Sequence, residues 1–113
     1  MRQRIYKWIL ELVQFTDSLS NYDQMAKIGK DQLLRSGTSI GANYIEAIAG
    51  STRKDFTNFL SHALKSANES KFWLSLLKDT KKGNLTKIDT LLKELIQIAN
   101  ILASSIKTLR TNK

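Results

Sequence analysis

A stretch of 113 residues without one proline contains nothing that must break a helix. Only five glycines interrupt it, so the turns have to come from a few short polar clusters. Between those clusters the apolar residues recur at three and four, the period of a helix with one buried face. The first helix is expected from Arg4 to Leu19, burying Ile5, Trp8, Ile9, Leu12, Val13, Phe15, Thr16 and Leu19. Ser20, Asn21 and Asp23 follow with turn and N-cap chemistry. The second is expected from Gln24 to Ala49, its apolar arc made of Leu33, Leu34, Gly37, Ile40, Gly41, Tyr44, Ile45 and Ile48. Gly37 and Gly41 each cost about 1 kcal/mol of helix propensity against alanine, which close approach of another helix offsets. Gly50, Ser51 and Thr52 make the next turn.

The third helix is expected from Lys54 to Lys81 on a stripe of Phe56, Phe59, Leu60, Ala63, Ala67, Leu74 and Leu77. Gly83 offers a left-handed end, and Thr86 with Asp89 resembles a capping box for the fourth helix. That helix carries Ile88, Leu91, Leu92, Leu95, Ile96, Ile98, Ala99, Leu102, Ile106 and Leu109, with residues 107–113 expected to fray. Helices joined by short turns are antiparallel neighbours. The expected fold is therefore all-α, one antiparallel up-down-up-down four-helix bundle over residues 1–113.

The chain has no cysteine, which excludes disulfides, thiolate metal sites and cysteine nucleophiles. No run approaches the ~18 apolar residues of a membrane span, and Met1–Leu12 lacks a small-residue cleavage site. A cytoplasmic protein with no membrane partner is expected. The one histidine, His62, has no companions at metal-ligand spacing. Arg53 and His62, nine residues apart on a helix, face opposite sides. No enzyme activity, metal or cofactor is expected.

Charge points to a partner. The net charge is +8 and the isoelectric point near 9.9, an excess that suits polyanions, DNA or RNA first. The cations cluster as Arg2, Arg4 and Lys7; Arg53 and Lys54; Lys78, Lys81, Lys82 and Lys87; Lys107, Arg110 and Lys113. In an up-down bundle both termini share a pole with the second turn. The first, second and fourth clusters therefore converge, and the third marks the opposite pole. Such a surface grips phosphates without reading sequence. No recognition-helix motif is apparent and no aromatic is read among the cations, so weak sequence preference is expected. The alternative is a protein-interaction scaffold without nucleic-acid binding.

The chain also has more apolar surface than one bundle needs. Phe72, Trp73 and Leu76 lie off the core stripe of their helix, as does Leu64. The fourth helix has an apolar arc of roughly 160°, against the ~100° that covers one core, and Ile101 lies outside even that. Tyr6 and Leu10 add to the first helix. Surplus on several helices is expected to pair with copies of the chain.

Gln32, Arg35, Ser36, Ser39, Asn43 and Glu46 form a polar stripe along the second helix. It is read first as a solvated face, next as a network between helices or subunits that sets register, third as a binding site, and last as a catalytic site, since no nucleophile stands beside a base. Glu69, or Glu46 itself, is a candidate partner for Arg35.

The run Leu34-Arg35-Ser36-Gly37-Thr38-Ser39-Ile40-Gly41-Ala42-Asn43-Tyr44-Ile45-Glu46-Ala47 resembles the signature of the bacterial four helix bundle proteins. Lys54-Asp55-Phe56 and Ala67-Asn68-Glu69-Ser70-Lys71-Phe72-Trp73-Leu74 resemble it too, at matching spacing. That family includes proteins encoded in intervening sequences of the large-subunit ribosomal RNA gene. It also includes relatives of the accessory variability determinant of diversity-generating retroelements. A commoner form ends this helix in Asn-Ile-Ala-Glu-Gly, where Asn43-Tyr44-Ile45-Glu46-Ala47 stands here. The resemblance implies a homopentameric ring with a central pore and a basic surface for DNA or RNA. For the retroelement relatives it implies association with a reverse transcriptase.

Overall fold

The computed structural model describes residues 1–111. Lys113 of the last basic cluster lies outside the described residues. The helices are α1 (Arg2–Asp17), α2 (Gln24–Ala49), α3 (Arg53–Asp79) and α4 (Leu85–Thr111), and there is no strand among the described residues.

Cross-helix contacts give the directions. Ser36 and Ser39 of α2 meet Ser70 and Ser66 of α3. Arg4 and Trp8 of α1 meet Gln97 and Leu91 of α4. Lys78 and Ser61 of α3 meet Asp89 and Arg110 of α4. Numbering rises on one helix as it falls on the other, so these neighbours are antiparallel. Each helix touches the next in the cycle α1–α2–α3–α4, and the diagonals do not meet. The bundle measures 49 × 21 × 20 Å.

The core follows the helical period. Trp8, Leu12, Phe15, Leu33, Ile40, Leu60, Leu74, Leu77, Leu95 and Ile98 are all buried. Trp8 also donates its indole N–H to the Leu91 carbonyl at 3.0 Å, the partner a buried indole needs. α1 packs against the glycines of α2. A Cβ at Gly37 would collide with Leu12, and one at Gly41 would lie 2.7 Å from Ile9 Cδ1.

Several helix bounds differ from expectation, α3 among them, which begins at Arg53 and not Lys54. α1 begins at Arg2, because the Met1 carbonyl already accepts from Ile5 N, and ends at Asp17, with Leu19 packing from the turn. α3 ends at Asp79 in a Schellman turn: Lys82 N donates to Leu77 O and Lys81 N to Lys78 O. Lys81, at φ 59°, is thus the left-handed C′ residue, and Gly83, at φ 91°, turns the chain a second time. Asn84, not Thr86, caps α4 by accepting from Lys87 N at 3.0 Å. Thr86 and Asp89 lie inside the helix, and Asp89 pairs with Lys78. α4 also stays helical from Lys107 to Thr111, where fraying was expected.

The buried arc of α2 is rotated from the expected one. Ile45 and Ile48 are exposed, while Ser36 and Ala47 are buried. Ile96 of α4 is likewise exposed. The arc of α2 turns toward α3, where Ser36 meets Ser70, and Ile45 is left on the rim of a groove beside α1, which has 16 residues against 26 or 27 in the others. At the pole where α1 begins, the first turns of α3 lie beside the last turns of α2 and α4. A hollow of about 460 Å³ opens there, bordered by Met1, Tyr44, Phe56, Ile101 and Leu109.

Candidate nucleic-acid interface

Both cations at the start of α3 are exposed, held there by its N-cap: Thr52 Oγ1 accepts from Asp55 N at 3.0 Å. Arg53 and Lys54 stand against the helix dipole, which disfavours cations at an N-terminus; Asp55 offsets part of that cost. Lys107 and Arg110 are exposed on the last turns of α4, and Arg110 reaches over the α3–α4 seam to within 3.5 Å of Ser61 Oγ. Along this seam α4 has no acidic residue after Glu94, and α3 has none between Asp55 and Glu69.

The first cluster is divided. Arg4 is not a free cation: its Nε and Nη2 donate to both oxygens of Glu94 at 2.7 and 2.8 Å, and Nη2 also reaches Gln97 at 2.6 Å. These hydrogen bonds, a planar fork on a carboxylate, hold the Glu94 carboxyl below the usual carboxylate range and raise the Arg4 guanidinium. Arg4 therefore clamps α1 to α4 and leaves the phosphate-binding set. Arg2 and Lys7 remain exposed and line a groove between α1 and α2.

The opposite pole is more nearly neutral. Lys78 pairs with Asp89 at 2.8 Å, and Lys82 with Asp23 at 2.6 Å. The Lys82 hydrogen bond, joined by one from Ala26 N, lowers the Asp23 carboxyl. Lys81 and Lys87 are exposed there without an ion pair among the described residues.

The surplus apolar residues are not one patch. Phe72 is 57% exposed and stands edge-on to Trp73, ring centres 5.0 Å apart. Trp73 and Leu76 are half-buried, and Trp73 Nε1 donates to Glu69 at 3.2 Å. Ile101 borders the hollow at the other end with Met1 and Phe56.

The polar stripe is a seam between α2 and α3. Ser36 and Ser70 are buried, with their hydroxyls 2.8 Å apart. Ser70 donates to the Ser66 carbonyl at 2.9 Å, so the Ser36 hydroxyl donates to Ser70. Ser66 bonds Ser39, and Asn43 Nδ2 donates to Ser39 Oγ, each at 3.0 Å. Arg35 pairs with Glu69 and accepts no role with Glu46, which is exposed and outside the network. The sequence reading missed Ser66 and Ser70, although their i, i+4 spacing between Ala63 and Leu74 places them on the core stripe. Ser70→Ala is expected to destabilise by about 1–3 kcal/mol, because it strands the buried Ser36 hydroxyl, and Ser36→Ala by only about 1 kcal/mol. Urea unfolding of the two variants checks the order.

Residues 1–104 match the family described as 23S rRNA-intervening sequence protein. The chain belongs to that family. A solved relative is 36% identical to this intervening-sequence protein, over 94% of this chain and 97% of its own, with a TM-score of 0.82. It is a protein of unknown function from the S23 ribosomal protein family of Bacteroides thetaiotaomicron VPI-5482. No curated protein matches the chain.

Proposed function

We propose that this intervening-sequence protein is a non-catalytic nucleic-acid-binding protein that works as a homo-oligomer, with DNA or RNA held through phosphates and with little sequence preference. One observation carries the reading. Lys107, Arg110, Arg53 and Lys54 gather on the end of the α3–α4 pair, where long stretches of both helices carry no carboxylate. Asp55 is the one carboxylate that α3 and α4 place at this end, and four cations against it offer a phosphate backbone counter-charge, with release of its condensed counterions driving binding.

The oligomer, a pentameric ring in the four helix bundle family resemblance, is supported by exposed Phe72, half-buried Trp73 and Leu76, and exposed Ile101 on separate parts of the surface. Two different apolar surfaces suit head-to-tail contacts, which close into rings. A reverse transcriptase is a partner to be sought on the same resemblance, and a cytoplasmic site of action fits a cysteine-free chain. No described helix is long and apolar enough to cross a membrane.

Two measurements test this. Light scattering of the pure chain is expected to give a multiple of 12.8 kDa, falling toward the monomer in Phe72→Glu. A monomeric wild type contradicts the ring. Gel retardation at low salt is expected to show binding to both DNA and RNA. A chain that is oligomeric but retains neither is the interaction scaffold instead.

A further inference from the structure

Between α1 and α2 runs a groove of about 730 Å³, within the size range of small-ligand sites. Gly41 and Ala42 are among the α2 residues that line it, with Ile5, Ile9 and Leu10 lining it from α1. Tyr6 of α1 and Tyr44 of α2 both border it, Tyr6 at 63% exposure and Tyr44 half-buried. Arg2 and Lys7 stand on its α1 side, and no carboxylate lines it among the described residues. Tyr6 sits between Arg4 and Lys7 in the chain, so an aromatic does interleave the first basic cluster, contrary to the sequence reading.

We infer that this groove takes an unpaired base of a single-stranded nucleic acid, stacked on Tyr6, with the flanking phosphates on Arg2 and Lys7. The inference rests on the nucleic-acid reading above and adds a second, strand-selective contact to it. A ring with a polar edge beside two cations and no acid matches what an unstacked nucleotide presents: an apolar face and an anion one bond-chain away. A duplex keeps its bases stacked on one another and offers only its phosphates.

The test compares a fluorescein-labelled oligothymidylate with a blunt duplex of equal length, by anisotropy at low salt, for the full chain and its Tyr6→Ala and Tyr6→Phe variants. Tyr6→Ala is expected to weaken the single strand by roughly 5- to 150-fold while leaving the duplex within about twofold. Tyr6→Phe, which keeps the stacking face, is expected to restore binding. Because Tyr6 is exposed, circular dichroism is expected to show both variants folded. Equal losses on both probes, or none on the single strand, overturn the groove while leaving the basic end in place. A wild type that binds neither probe overturns both readings. A change in mass by light scattering on Tyr6→Ala assigns the groove to a second copy of the chain and also overturns the inference.

Discussion

Exchanging Lys107 and Arg110 together for glutamine is expected to weaken nucleic-acid binding on the order of a hundredfold near 0.1 M salt. Each cation that neutralises a phosphate adds about 0.9 to the slope of log affinity against log salt, close to one decade of affinity at that concentration. Two contacts give two decades. The matched control is Lys81→Gln with Lys87→Gln, which removes the same charge from the opposite pole. There the paired Lys78–Asp89 and Lys82–Asp23 leave less field, and only a few-fold loss is expected. Equal losses from the two doubles show that net charge alone matters, not its placement. Neither pair of exposed side chains belongs to the core, so thermal unfolding of both doubles is expected to stay near that of the wild type.

Trp8→Ala carries the largest expected effect on the fold, about 3–5 kcal/mol of lost stability, or a melting temperature lower by roughly 15 °C. Trp8 is 1% exposed and lies where α1 meets both neighbours: its ring faces Gly37 of α2, and its N–H reaches Leu91 of α4. Losing the ring opens a cavity, and the short α1 loses its anchor. Trp8→Phe keeps most of the volume and gives up mainly the hydrogen bond, at about 1 kcal/mol. Calorimetry on the two variants separates volume from hydrogen bond. An alanine variant as stable as the phenylalanine one means that α1 is held by the Arg4–Glu94 clamp instead of by its core face.

Local chemistry explains which features can be read from the chain. α2 starts where Asp23 says it does, because a capping carboxylate acts on its own neighbours, and it stops at Gly50, which leaves the helix in extended backbone. Distant pairing is another matter. Arg4 looks like a phosphate ligand until Glu94, 90 residues on, is placed opposite it. Ser36 looks like part of a solvated stripe until α3 brings Ser70 against it. Both outcomes depend on the rotation and register of packed helices, which no local pattern encodes. The exposure of Ile45 and Ile48 has the same origin, since the periodicity of α2 does not record how far the helix rotates to set Ser36 against α3. Of the candidate site, the clusters Arg53–Lys54 and Lys107–Arg110 were legible as charge. The scarcity of acids around them, Asp55 apart, acquires meaning only once α3 and α4 lie side by side.

The central claim, that the basic end holds a phosphate backbone, meets its most direct test in a salt titration of binding to one DNA duplex of fixed length. Log affinity is predicted to fall linearly with log salt. The slope is predicted to drop by about 1.8 in magnitude when Lys107 and Arg110 are replaced. Binding absent at low salt, or present with a slope that neither salt nor the double substitution changes, contradicts the account.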